Sequence, residues 1–97
     1  MSDQLVSLFD AMRDPARLEI VSLLGRGGSM NVGDITAHLP LSRPAVSHHL
    51  KVLKTAGILT SEKRGQEVYY GLDRQRLVST LRAMADFLEN CCLPPIG

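Results

Sequence analysis

Cysteine is nearly absent from this chain: two residues among 97, Cys91 and Cys92, side by side. Bridged to each other, neighbours of this kind would close a strained ring, so a structural disulfide within the chain is not expected. Sparse thiols of this sort fit a reducing, cytoplasmic setting. Long apolar runs are missing too. None approaches the ~18–20 residues that span a bilayer, and no signal peptide is read, so no membrane partner is expected. Excess charge of one sign is also lacking, the formal net charge being +1. Catalytic signatures are absent as well: no Gly-x-Ser-x-Gly elbow, no phosphate-binding glycine loop, no His-Glu-x-x-His. Gly25–Ser29 has no lysine where a phosphate loop needs one, and His38, His48 and His49 lack a nucleophile and an orienting acid. An enzyme is therefore not expected, and no cofactor is required.

What is present suffices for one compact domain over 1–97 with a real core, since 44 % of the residues are hydrophobic. A domain of this size buries only about 60–70 % of its unfolded surface, so pairing with a second copy would help it. The charge is unevenly spread. Residues 42–76 carry seven basic groups (Arg43, Lys51, Lys54, Lys63, Arg64, Arg74, Arg76) against three acidic ones (Glu62, Glu67, Asp73), and the flanks are net acidic. Phosphate attraction acts over a Debye length, roughly 8–10 Å, so this local asymmetry matters more than the total.

Hydrophobic spacing predicts five helices and a hairpin. Ser2 is a candidate cap for a first helix with Leu5, Leu8, Phe9 and Met12 on one stripe. Asp14-Pro15 reads as a cap followed by proline at the first position of a second helix, with Leu18, Val21 and Leu24 inward and a stop at Gly25. Gly25–Ser29 then reads as a flexible loop. Asn31 caps a short third helix reaching about Leu39, with Ile35 and Leu39 inward, and Pro40 ends it. After a tight turn, Ser42 caps a fourth helix whose buried stripe is Val46, Leu50 and Leu53, closed by Gly57. Ile58–Lys63 and Glu67–Leu72 read as strands joined by Arg64-Gly65-Gln66. Tyr69 and Tyr70 alternate there, and at least one belongs to the core. Asp73 caps a last helix striped by Leu77, Leu81, Met84 and Leu88.

The order α-α-α-α-β-β-α, mainly helical with a β-hairpin, describes a winged helix-turn-helix. The first and last helices, within 1–13 and 74–92, carry more apolar surface than a three-helix core with a hairpin needs. They are expected to form a homodimer interface through Leu5, Leu8, Phe9, Met12, Leu77, Leu81, Met84 and Leu88.

The stripe of helix four leaves Arg43, Pro44, Ser47, His48, Lys51, Lys54 and Thr55 facing outward. In a major groove, Arg43 can donate two hydrogen bonds to a guanine edge, and Ser47 and His48 can reach bases or phosphates. Ser42 and the free N–H groups of the helix start can hold a phosphate, while Lys51 and Lys54 suit the backbone. Lys63, Arg64 and Gln66 at the hairpin tip can track an adjacent groove. Double-stranded operator DNA is the expected partner. His48 and His49, adjacent on a helix, point about 100° apart and do not make a chelating pair.

Asp14–Ile20, the run Leu41-Ser42-Arg43-Pro44-Ala45-Val46-Ser47-His48-His49-Leu50-Lys51-Val52-Leu53, Ala56–Leu59 and Val68-Tyr69-Tyr70 resemble the ArsR/SmtB family of bacterial repressors, from about residue 5 to residue 90. The resemblance implies a homodimer that occupies a promoter and leaves when an effector binds, the effector often being a metal ion or metalloid. Family members with a Cys-Val-Cys-Asp-Leu site on helix three differ here, where Asn31-Val32-Gly33-Asp34-Ile35 stands. The zinc positions of the last helix correspond to Arg74, Arg76, Phe87 and Asn90, none an ordinary zinc ligand. Cys91 and Cys92 remain as candidates for arsenite or a soft metal ion, for redox sensing, or for simple packing. A repressor with a redox or non-metal effector, and a winged-helix protein-interaction module, are the alternatives.

Overall fold

The computed structural model describes residues 2–90. In chain order the elements are α1 (Ser2–Met12), α2 (Pro15–Gly27), β1 (Met30–Asn31), α3 (Val32–Ala37), α4 (Arg43–Thr55), β2 (Leu59–Arg64), β3 (Glu67–Leu72) and α5 (Arg74–Glu89). The strands form one antiparallel sheet in the order β1-β3-β2. The core is a single cluster of Leu8, Ala11, Ile20, Leu24, Ile35, Val46, Leu50, Leu53, Ile58 and Leu59. No polar or charged residue is buried with it among the described residues.

Helix starts follow capping chemistry. Asp14 Oδ1 accepts from the N–H groups of Ala16 at 2.8 Å and Arg17 at 3.3 Å, with Pro15 as the first residue of α2. Asn31 Oδ1 accepts from Asp34 N–H at 2.8 Å, and Asp73 Oδ1 from Arg76 N–H at 3.2 Å. Arg17 ties α1 to α2: its Nε donates to the Ala11 carbonyl at 2.7 Å and its Nη1 lies 3.9 Å from Asp14 Oδ2.

Partial burial alone would raise the Asp14 pKa. The N–H groups of Arg17 and Ala16 and the positive ends of Arg17 and His49 outweigh it, and hold the carboxyl below its ordinary value. A depressed folded-state pKa stabilises the fold above the unfolded value, and the contribution disappears as pH falls through the folded one. Urea unfolding of Asp14→Asn, which retains a capping oxygen but cannot ionise, is expected to show a flatter loss of stability on acidification than the parent. An unchanged acid limb would show that Asp14 does not drive it.

The structure alters several sequence expectations. Helix α2 passes through Gly25 and Arg26 to Gly27, and ends at Gly28, whose φ of 79° suits glycine and whose N–H donates to the Leu24 carbonyl at 3.1 Å. A mid-helix glycine costs only about 1 kcal/mol, which the packing of α2 overrides. The loop accordingly shrinks, and Met30 and Asn31 pair with Tyr70 and Tyr69 as an additional short strand. Leu18 is half exposed, while Ile20 is fully buried beside Leu24. Residues six apart lie about 120° apart around a helix, whereas Ile20 and Leu24 nearly coincide. Helix α3 ends at Ala37, short of Leu39. Ile58 precedes β2, and Arg64 belongs to it, paired with Glu67. The hairpin turn is therefore Gly65-Gln66, with a positive φ of 61° at its first residue, as in a type II′ turn.

The apolar stripes of the first and last helices divide between two roles. Leu8 is 6 % exposed and lies inside its own chain's core, so it is not available to a partner; Leu5, Met12 and Leu77 pack against that core. Phe9, Leu81 and Leu88 are uncovered, Met84 is half-buried, and Val6, Val78 and Phe87 add further exposed apolar surface. Helix α5 buries no side chain at all.

Candidate DNA-binding interface

Helix α3, the turn after it, and α4 form the helix-turn-helix. Thr36 Oγ1 donates to the Val32 carbonyl at 2.7 Å, and the His38 and Leu39 N–H groups close the end of α3 on the Ile35 and Thr36 carbonyls at 3.0 and 3.2 Å. Ser42 Oγ accepts from Ala45 N–H at 3.3 Å and caps α4, with Pro44 in the first turn. Val46, Leu50 and Leu53 are buried at 0, 1 and 0 % exposure and set the helix rotation. Gly57, with φ 79°, turns the chain out of α4 towards β2.

That rotation leaves Ser42, Arg43, Pro44, Ser47, His48, Lys51, Lys54 and Thr55 exposed. Lys51 has no hydrogen-bond or ionic partner among the described residues. Arg43 lies over the start of α3, its Nη1 3.9 Å from where a Cβ on Gly33 would stand. Lys54 Nζ donates to Ser61 Oγ, linking α4 to the first wing strand, so this cation is partly engaged inside the protein. His49 is half-buried, and its Nδ1 is buried without a hydrogen-bond partner. The His48 and His49 rings are tilted by 55° with centroids 5.8 Å apart.

The wing distributes its cations between two faces. The register pairs Ser61 with Tyr70 and Lys63 with Val68, so Lys63 shares a sheet face with Ser61, which Lys54 of α4 contacts. Tyr70 packs against the core on that face. Arg64 belongs to the opposite face. Its Nη2 lies 3.3 Å from Glu62 Oε2 and its guanidinium stands 4.6 Å from the centre of the Tyr69 ring. Sequence reasoning placed Arg64 beside Lys63 at the tip, but missed Glu62 and Tyr69 as its restraints. The period-2 register, which sets Glu62 opposite Tyr69, carried that signal. Gln66 is exposed in the turn. Cys91 and Cys92 lie outside the described residues, which contain no group of three or more metal-ligating His, Cys, Asp or Glu side chains.

A polar, basic helix after a tight turn, followed by a two-stranded wing with a basic tip, defines a winged helix-turn-helix. Residues 14–61 match the arsR family of bacterial regulatory proteins. The transcriptional repressor SdpR of Bacillus subtilis is 39 % identical over 84 residues, spanning 87 % of this chain and 92 % of that protein. The structure of an ArsR-like transcriptional regulator from Rhodococcus sp. RHA1 superposes with a TM-score of 0.82 at 32 % identity, covering 89 % of this chain and 80 % of the other. A homodimeric winged helix-turn-helix DNA-binding domain from Mycobacterium bovis superposes with a TM-score of 0.70 at 27 % identity, covering 88 % and 81 %. The chain belongs to the arsR family of bacterial regulatory proteins.

Proposed function

We propose that this chain acts in the cytoplasm as a homodimeric, sequence-specific transcriptional repressor. Helix α4 enters the major groove of operator DNA, where Arg43 reads a base edge and Ser47 and His48 reach bases or phosphates. Ser42, Lys51 and Lys54 hold the backbone, and Lys63, Arg64 and Gln66 follow the neighbouring groove. The observation that carries this reading is the exposed face of α4, where Lys51 has no counter-charge within the described residues.

Dimerisation uses the uncovered apolar side chains of α1 and α5, Phe9, Leu81 and Leu88 with Val6 and Val78, and half-buried Met84. The homodimeric state of the Mycobacterium bovis domain supports that assembly. Two such chains present two reading helices related by a two-fold axis, as a palindromic operator requires.

Release from DNA follows effector binding near the dimer helices. Cys91 and Cys92, which follow α5 in sequence, are the candidate ligands for arsenite or another thiol-binding metal ion. Arsenite takes three thiolates, so two from one chain need a third from a partner chain or a small thiol. A coupling of about 1–3 kcal/mol between the sites would lower operator affinity roughly five- to 150-fold. Fluorescence anisotropy of a labelled duplex from the gene's own promoter, with reduced protein and added arsenite, tests both parts. The expected result is a specific complex that dissociates with arsenite and persists in Cys91→Ser/Cys92→Ser. A complex indifferent to arsenite keeps the repressor and removes the metalloid. Failure to bind any promoter fragment at low salt would favour a protein-interaction module.

A further inference from the structure

Helix α1 shows three faces. Leu5, Leu8 and Met12 point to the core, and Val6 and Phe9 form the uncovered apolar side. Ser7 and Asp10 belong to neither, and with Ala11 at the edge of the core they face α4 across a groove of about 360 Å³. This volume lies within the roughly 300–1,000 Å³ range of small-molecule sites. Its floor is apolar, made by Ala11 of α1, by Val52 of α4 and by Ala56, which caps the end of α4, all buried or half-buried. Its α4 rim carries Lys51 and His48, with Thr55 one turn further on.

The charges along this groove are unequal. Asp10 is its one carboxylate, and it is already paired with Arg13, whose Nε lies 3.1 Å from Asp10 Oδ1. Lys51 has no such partner. The free charge of the groove is therefore positive, at one edge of an apolar floor. A ligand complementary to that arrangement has a short hydrocarbon body and one anionic head.

We propose that the α1–α4 groove binds a small amphipathic carboxylate, with its body on Ala11, Val52 and Ala56 and its head at Lys51 and His48. Lys51 and His48 are also two of the residues assigned to DNA. Ligand and operator then compete for the same cation, and each weakens the other by the same factor. This consequence rests on the DNA-reading role of α4; occupancy of the groove does not. Its α1 lining is Ser7, Asp10 and Ala11, and includes neither Val6 nor Phe9, the side chains of that helix assigned to dimerisation.

The test uses octanoate and 3-phenylpropionate as probes on the full chain, followed by backbone amide shifts and by anisotropy of the DNA complex. Saturable shifts are expected in the millimolar range, concentrated at residues 7–11 and 48–56, with weaker DNA binding as either probe is added. Ser7→Phe, at an exposed α1 position outside the DNA-reading face, fills the groove and is expected to abolish the shifts while leaving operator affinity unchanged. Lys51→Met is expected to weaken octanoate binding about tenfold, as loss of one charge-assisted contact does. The proposal is overturned if neither probe saturates, if the shifts centre on the Val78–Glu89 face of α5, or if Ser7→Phe binds octanoate as the parent does. Octanoate binding without any effect on a DNA complex would remove the competition. Octanoate binding by a chain that recognises no DNA would sustain the groove and refute the repressor reading, so the two fail separately.

Discussion

Leu53→Ala is expected to lower the unfolding free energy by about 2–5 kcal/mol, from a total that for domains of this kind is about 5–15 kcal/mol. Leu53 is completely buried, and its carbonyl receives the Ile58 N–H at 3.0 Å, where α4 gives way to the wing. Truncation leaves a cavity between the DNA-reading helix and β2 that a well-packed interior fills only in part. The proper comparison is Leu18→Ala. Both replacements remove the same atoms, but Leu18 is 50 % exposed, so its loss costs much less. Urea midpoints at one fixed protein concentration check the pair, the concentration being held because dimerisation adds to apparent stability. Equal shifts in the two variants would mean that the rotation of α2 or α4 is wrong.

The second large effect concerns affinity. Arg43→Ala is expected to cost about 1–3 kcal/mol on the preferred operator, and to relax base choice at one position of each half-site. Lys51→Ala is expected to weaken all sequences by a similar factor, and to reduce the salt slope of binding by about one for each protomer bound. The two residues are eight apart on α4, about 12 Å along the axis, so their effects should add. Anisotropy titrations on operator and scrambled duplexes, each at several salt concentrations, separate the behaviours. If Lys51→Ala altered sequence preference and Arg43→Ala only the salt slope, the orientation of α4 in the groove would have to be reversed.

The same two residues illustrate how far the amino-acid sequence could be read. The rotation of α4 was legible because Val46, Leu50 and Leu53 recur at helical spacing and its limits are marked by Ser42 and Gly57. The caps Asp14, Asn31 and Asp73 were legible because a short acceptor side chain before a helix has few other uses. The hairpin was legible from its two strand-like runs and Gly65, but its register was not: a three-residue turn over Arg64-Gly65-Gln66 sets Lys63 opposite Glu67, whereas the two-residue turn sets Arg64 there. Helix α2 was harder: Leu18 and Ile20 offered two rotations, and packing against α1, α4 and β3 selects the one that buries Ile20. β1 has two residues, too few for any period to appear. Leu8 exposes a limit of another kind. Periodicity tells which side chains share a face, but not whether the same chain or a second one covers them. Arg64 does likewise: composition records a cation at the wing tip, but not the Glu62 carboxylate and Tyr69 ring that restrain it.

The short strand β1 has a mechanical consequence. It backs the hairpin only at Tyr69 and Tyr70, while β2 and β3 run on as a bare pair to Gly65. The wing is thus a cantilever, clamped at its root by a third strand and compliant at its free end, where Lys63, Arg64 and Gln66 stand. The clamp is not passive, because Asn31 both pairs with Tyr69 and caps α3. A load on the wing tip bends the outer hairpin first, and whatever passes the clamp arrives at the start of α3. The wing and the helix-turn-helix are in this way held in one alignment, with the compliance confined to the outer end of the hairpin.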